Sequence, residues 1–356
     1  MAMSAEPPGG AAHGREPDGR EAHGREAAGG EGAAGGSTPL ASVIVPARQA
    51  GASLPETLER LLDQDLDAPY EVVVACPPQD HDTRAALGRH ADDPRLRVVD
   101  NPAGSTPAAL NAAIAAARAD VLVRVDAHAL PGRSHVRRCA ETLAATGAGN
   151  VGGAQLPVAR RGFARAVADA MRSRLGSGGA TYRSGTEPGP TDTVYLGCFA
   201  RAALEDVGGF DETLARNQDY ELNWRLREHG WTIWFDPELS VGYRPRATVR
   251  GLARQYADYG RWKRFMLRRH PRSLRARQLA APALVVVLTA SLALGAATAS
   301  PWPLLVPAGY VGALLVGGAL ASRSVARAPA TALALAIMHL AWGVGFLVLP
   351  VRRGRG

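Results

Sequence analysis

Cysteine is scarce in this chain of 356 residues: Cys76, Cys139 and Cys198 stand far apart, and no CxxC pair occurs. An odd count at that spacing argues against a disulfide framework or a zinc site and fits reducing, cytosolic surroundings. Residues 1–38 lack an apolar period. They repeat "HGRE" at His13 and His23, with "DGRE" at Asp18 between them, and are rich in Gly, Ala and charge. Such a segment buries too little surface to offset its ordering entropy, so a tail without a fold is expected. It also lacks the uninterrupted apolar core of a signal peptide.

Acids are missing from residues 244–277. Twelve Arg and Lys face the single Asp258 there, a charge of +11 in a chain whose net charge is +8. Such a run suits nucleic acid, an anionic substrate or an acidic membrane surface. Charge itself is missing from residues 279–299 and 301–321, and residues 328–350 carry only His339. Each run is about long enough to cross a bilayer core of roughly 30 Å, and none has a polar face. Two spans are expected. A third would leave "RRGR" on the far side, against the positive-inside tendency, unless one segment is re-entrant. The basic stretch stands immediately before the first run. There, Arg-rich sequence stays cytoplasmic and meets anionic headgroups, which argues against nucleic acid as the partner. Trp262 and Phe265 alternate with Arg261, Lys263 and Arg264 as in an interfacial helix.

Residues 39–243 alternate strand and helix signals. "ASVIVPA", "YEVVVAC", "LRVVDN" and "DVLVRVDA" read as buried strands, while "LPETLERLLDQD" and "TPAALNAAIAAARA" read as helices. This order predicts an α/β, Rossmann-like domain with a largely parallel sheet covered on both faces. Ligands bind such sheets at the carboxyl ends of the strands, which selects residues 46–51, 76–83, 101–105 and 126–128. Asp126 and His128 end the fourth strand. A carboxylate with a second donor two residues on suits a diphosphate-held Mg2+ or Mn2+, and the imidazole tilts the choice towards Mn2+. "DYELNWRLREHG" predicts a helix with Asp219 as N-cap or, facing the cleft, as a general base. In "QYADYGRWK", Gln255, Arg261 and Trp262 precede the first apolar run; Arg261 suits phosphate oxygens and Trp262 an apolar wall for an acceptor.

Taken together and in this order, the Asp126/His128 pair, the late acid, the Gln255…Arg261-Trp262 element and the trailing apolar runs resemble family 2 glycosyltransferases of the GT-A fold. The resemblance covers residues 40–270. "TDTVYLGCF", "NQDYELNWRL", "IWFDPEL" and "YRPRATVRGLARQYADYGRWK" are most similar to the bacterial group that extends lipid-linked exopolysaccharide repeats of the succinoglycan type. The resemblance implies an inverting transfer from a nucleotide-diphosphate sugar, expected to be a UDP-sugar, to a lipid-linked glycan acceptor. It makes Asp219 the base, Asp126 and His128 the Mn2+ or Mg2+ ligands, and Pro46, Ala47 and Arg48 the first-strand loop that holds the nucleotide. Gln255, Arg261 and Trp262 would bind diphosphate and acceptor, at a gap longer than in processive members, which implies single-sugar addition. Gly197, Cys198 and Phe199 match a loop behind the acceptor, and Glu221 a following acid that is grouped with the acceptor side and is more often structural. The Gly-rich residues 176–190 would be an acceptor-side or closing loop, or else a plain disordered insert. The expected place is the cell membrane, multi-pass, with the catalytic domain cytoplasmic.

One further absence cuts against the pattern. The family's second strand ends in an Asp that contacts the base; here "CPPQDHDT" puts Cys76 in its place. That departure keeps open a catalytically weak, nucleotide-sugar-binding membrane scaffold. A nucleic-acid binder would rest on net charge alone.

Overall fold

The computed structural model describes residues 38–178, 185–214, 216–348 and 350, all within one unit, Thr38–Gly356. The tail repeats, part of the Gly-rich loop and the terminal "RRGR" lie outside the described residues.

Strands β1 (Ala41–Pro46) and β2 (Tyr70–Cys76) are buried along their whole length. They run parallel, with β3 (Leu96–Asp100) beside β2 and β4 (Val121–Arg124) beside β1. Their continuous apolar runs are what a sheet covered on both faces requires. Val43, Val45, Val72 and Val74 face one layer, packed on α1 (Leu54–Leu62) and α4 (His135–Thr146). Ile44 and Val73 face the other, under α3 (Thr106–Ala116). The chain crosses from β2 to β3, the edge strand, through α2 (His81–Gly88).

Beyond β4 the sheet turns mixed. The order continues through β8 (Tyr195–Ala200), β5 (Asn150–Gly153), β9 (Ile233–Phe235) and β7 (Gly189–Pro190), with β8 antiparallel to both its neighbours. A separate parallel pair joins β6 (Gln155–Pro157) to β10 (Val241–Tyr243). Residues 197–199, expected as a loop behind the acceptor, are therefore the middle of a central strand. Gly197 is forced there: a Cβ would stand 2.3 Å from Asn150 Oδ1.

The helices that follow the sheet crossovers are α5 (Gly162–Arg172), α6 (Arg174–Ser177), α7 (Arg201–Asp206), α8 (Gln218–Glu228) and α9 (Val249–Arg269). The apolar runs form α10 (Ala280–Thr298), α11 (Leu305–Ser322) and α12 (Ala328–Leu347). All three are long and apolar enough to cross a membrane. They are not equally covered: 39 % of the apolar window of α12 is buried by protein, against 17 % for each of the others. Two of its neighbours are helices of the sheet-bearing region. Leu335 and Met338 join Val167, Met171, Leu252 and Tyr256 in one apolar cluster. The apolar face of α9 packs against protein. Trp262, expected to alternate with cations as in an interfacial helix, is only 6 % exposed, because that face is taken up by protein contacts.

Candidate active site

The parallel strands bring their carboxyl ends to one edge. Ala47 N donates to Ala75 O at 2.9 Å, Asn101 N to Cys76 O at 2.9 Å and Val125 N to Ile44 O at 3.1 Å. Along this edge Pro46 and Ala47 are buried, while the Arg48 side chain reaches across and donates to Gly104 O at 2.9 Å. Asp80 fills a structural role there: its carboxylate accepts from Gln49 N and caps α2 through Thr83. Cys76 is a correction. Its thiol is fully buried in the core, where burial raises its pKa, and it offers nothing to a nucleotide.

Arg124, the last residue of β4, organises the centre. Its side chain is 4 % exposed. Nε and Nη2 donate to Asp126 Oδ1 at 3.1 and 3.0 Å, and Nη1 donates to Asp219 Oδ1. The two carboxylates thus meet on one guanidinium. Burial pushes the Arg124 pKa down; Asp126 and Asp219 push it up by more, so the cation is secure. The Phe210 ring lies 5.8 Å from the guanidinium and is backed edge-on by Phe199. Phe199 therefore supports the cleft from behind, and Cys198 is buried in the core.

Asp219 is not the N-cap. The cap is Asn217, in the left-handed conformation at φ 62°, and Asp219 sits in the first turn of α8. Its outer edge is open to the cleft, with the side chain 46 % exposed. Packing around the carboxyl raises its pKa above the usual aspartate range; Arg124 opposes the rise and Asp126 adds to it. Solvent at the open edge tempers all three effects.

Glu221 points elsewhere. It is buried, accepts from Arg225 Nε and Nη2 at 2.8 Å each, and meets His270 Nε2 at 3.1 Å. Arg225 also donates to Val207 O and Gly209 O, so this pair fixes the turn that carries Phe210. The acceptor-side reading of Glu221 is corrected to support by that burial. Tyr220 OH donates to Ser273 O at 3.1 Å, and Lys263 lies 4.0 Å from the Tyr220 ring centre. The start of α8 is therefore latched to α9 and the segment after it. Burial brings the Lys263 pKa down to about 7; Asp192 opposes this and nearby arginines add to it.

His128 is exposed and stands edge-on to Tyr243, ring centres 6.1 Å apart. Gln255 Nε2 donates to Tyr243 OH at 3.0 Å, which ties Gln255 to the same side of the cleft. Arg261 instead pairs with Asp258 at 3.3 Å, and its buried Nε has no hydrogen-bond partner among the described residues. Trp262 packs on Phe265. Among the described residues neither touches Asp126 or Asp219. Burial leaves Trp262 no face for an acceptor.

Among the described residues, no three His, Cys, Asp or Glu side chains gather to hold a metal. The donors present fit a different arrangement. One carboxylate, Asp126, and one imidazole, His128, leave the remaining positions to ligand oxygens and water, as Mg2+ and Mn2+ accept at diphosphate sites. Arg124 was missed in the sequence. Its signal was a cation inside an apolar strand, two residues before Asp126 and so on the same face. Tyr195 was missed too. Burial, and then the charge of Asp126, hold its phenol well above the usual value.

Residues 42–208 match the family described as Glycosyl transferase family 2. The succinoglycan biosynthesis protein ExoA of Rhizobium meliloti (strain 1021) is 33 % identical over 312 residues, covering 85 % of this chain and 93 % of the relative. The pre-mycofactocin glycosyltransferase of Mycobacterium tuberculosis (strain CDC 1551 / Oshkosh) is 28 % identical over 65 % of this chain, which spans only 48 % of that protein. Among solved structures, the mannosyltransferase PcManGT of Pyrobaculum calidifontis, in complex with GDP-Man and Mn2+, superposes with a TM-score of 0.59. It is 23 % identical, over 83 % of this chain and 86 % of its own, a likeness of fold.

Proposed function

The chain belongs to glycosyltransferase family 2, and from that membership we propose that it is an inverting sugar transferase with Asp219 as general base. The observation that carries this reading is the meeting of Asp126 and Asp219 on Arg124, with the Asp219 carboxyl open to the cleft. The donor is a nucleotide-diphosphate sugar, a UDP-sugar by preference, lying across the strand ends beside Arg48. Asp219 takes the proton of the acceptor hydroxyl as that oxygen attacks the anomeric carbon. The bond from that carbon to the diphosphate breaks, and the nucleotide diphosphate leaves with the electron pair. A carboxyl with a raised pKa is a better proton acceptor than an ordinary aspartate.

Asp126 and His128 would hold Mn2+ or Mg2+, which would neutralise charge on the leaving diphosphate. Mn2+ accompanies GDP-Man in the structurally similar mannosyltransferase. The acceptor is a lipid-linked glycan in exopolysaccharide or cell-envelope synthesis, by likeness to the succinoglycan protein. The apolar helices keep the domain at the cytoplasmic face of the cell membrane.

Asp219→Asn should lower transfer about 10²–10⁴-fold while the donor-induced rise in melting temperature persists. Undiminished transfer would remove Asp219 from the role of base. Removal of divalent cations by EDTA, or Asp126→Ala, should abolish transfer; full activity after either would end the metal assignment. Donor binding by the wild type without transfer to any acceptor would favour the scaffold reading left open by Cys76.

A further inference from the structure

Away from Asp126 and Asp219, a cavity of about 610 Å³ opens between α5–α6 and the end of α11. Arg165, Arg172, Arg174 and Arg323 line it, against the single acid Asp169. That acid is already neutralised: Arg165 Nε stands 3.1 Å from it and Arg327 Nε 3.3 Å. Arg172 donates to Pro157 O at 2.7 Å. Arg174 and Arg323 have no side-chain partner among the described residues. Arg323 also takes the left-handed conformation, φ 50°, which glycine usually fills after a helix. The chain thus carries a cation there at a backbone cost.

The opposite wall is apolar. Leu175 and Gly317 are in contact, and Leu320, 74 % exposed, continues along α11. A soluble anion would gain nothing from that wall, and a neutral lipid nothing from two free guanidiniums. An amphiphile with a phosphate head uses both. The cavity also faces the right side. The Arg327–Asp169 pair joins the turn between α11 and α12 to α5, so the arginines lie at the end of α11 nearest the sheet-bearing region. None of the lining residues belongs to the Arg124 centre, so an occupant there need not present a hydroxyl to Asp219. That separates it from the sugar acceptor.

We propose that this cavity binds an anionic glycerophospholipid of the bilayer, its phosphate between Arg174 and Arg323 and an acyl chain along Leu175 and Leu320. The inference rests on the apolar helices being embedded in a membrane, not on the identity of the base.

The test is lipid retention by the full chain, purified in detergent and mixed with phosphatidylglycerol or phosphatidylcholine, read by native mass spectrometry. The wild type should retain phosphatidylglycerol and not phosphatidylcholine. Arg174→Glu/Arg323→Glu should lower retention at least tenfold, and the milder Arg174→Gln/Arg323→Gln should lower it several-fold. Arg268→Glu, an exposed cation of α9 outside the cavity, should leave it unchanged. Equal loss in Arg268→Glu would mean a diffuse positive field, and equal retention in both double variants would mean another binding place; either overturns the assignment. So would displacement of phosphatidylglycerol by equimolar polyprenyl diphosphate, which would make the cavity an acceptor site. An unchanged donor-induced melting shift shows that each variant is folded. Loss of transfer in Asp219→Asn with retention intact leaves this proposal standing, and failure of retention leaves the base assignment untouched.

Discussion

Arg124 holds two carboxylates that would otherwise repel each other, and its removal separates the electrostatic role from the structural one. In Arg124→Met, Asp219 loses the cation that lowers its pKa and keeps the neighbouring Asp126 that raises it. Its proton affinity must rise. A base works only when ionised, so the acid limb of the kcat/KM profile should move to higher pH, with the alkaline limb unmoved. Arg124→Lys should restore part of the shift, because an ammonium is a point charge that cannot grip both carboxylates as a planar fork does. The loss of stability should stay below the roughly 3–5 kcal/mol expected for breaking a fully buried pair, since the Asp219 side chain is 46 % open. A pH–rate profile alongside a thermal melt checks both statements. An acid limb that stays in place would mean that Asp219 is not the titrating base.

Elements were legible wherever one rule decided them. Continuous apolar runs gave β1 and β2, and period-four leucines gave α1, because burial on both faces or on one stripe leaves a direct imprint. The start of α8 was read two residues late. Asn217 caps it through a left-handed backbone and not through a side-chain bond, so the usual acid-as-cap pattern pointed to Asp219. The placement of β8 was not legible either, since an antiparallel strand inserted between β4 and β5 depends on pairings dozens of residues apart. Close contact between α9 and α12 is another long-range feature, and glycine makes it possible. A Cβ on Gly260 would lie 2.1 Å from Trp342 O and 2.7 Å from Phe346 N, both backbone atoms. Gly260→Ala should therefore push the helices apart and cost about 1–3 kcal/mol by overpacking, more than the ~1 kcal/mol that helix propensity returns. The melting temperature of the solubilised protein should fall. Gly88→Ala, at the exposed end of α2 with nothing within 4 Å, should leave it level or slightly raised. Equal melting temperatures for the two variants would mean that α9 and α12 are not packed this closely.

At the scale of the whole molecule, the three apolar helices have nearly the same mean hydropathy, 2.2, 1.9 and 1.8, so composition could not say which of them differs. Packing does. Helix α12 runs beside α9 in the same direction: Leu335 and Met338 meet Leu252 and Tyr256, Trp342 and Phe346 meet Gly260, and Leu347 O accepts from Arg264 Nη1 at 2.6 Å. Its first residues are held as well, through Arg327 and Asp169. Helix α9 exposes Arg250, Arg254, Arg268 and Arg269, and each such charge costs about 2.5–3.5 kcal/mol at the centre of a bilayer. It must stay at headgroup level, and a helix packed along its length is held there with it. The chain after Leu347 should then lie on the same side as the catalytic domain, where its arginines satisfy the positive-inside tendency. The native cysteines are buried and give a silent background for labelling. In intact cells, Gly356→Cys should resist a membrane-impermeant maleimide until the membrane is permeabilised. Labelling from outside would require α12 to cross the bilayer, and with it either the arginines of α9 would enter the membrane or the two helices would part.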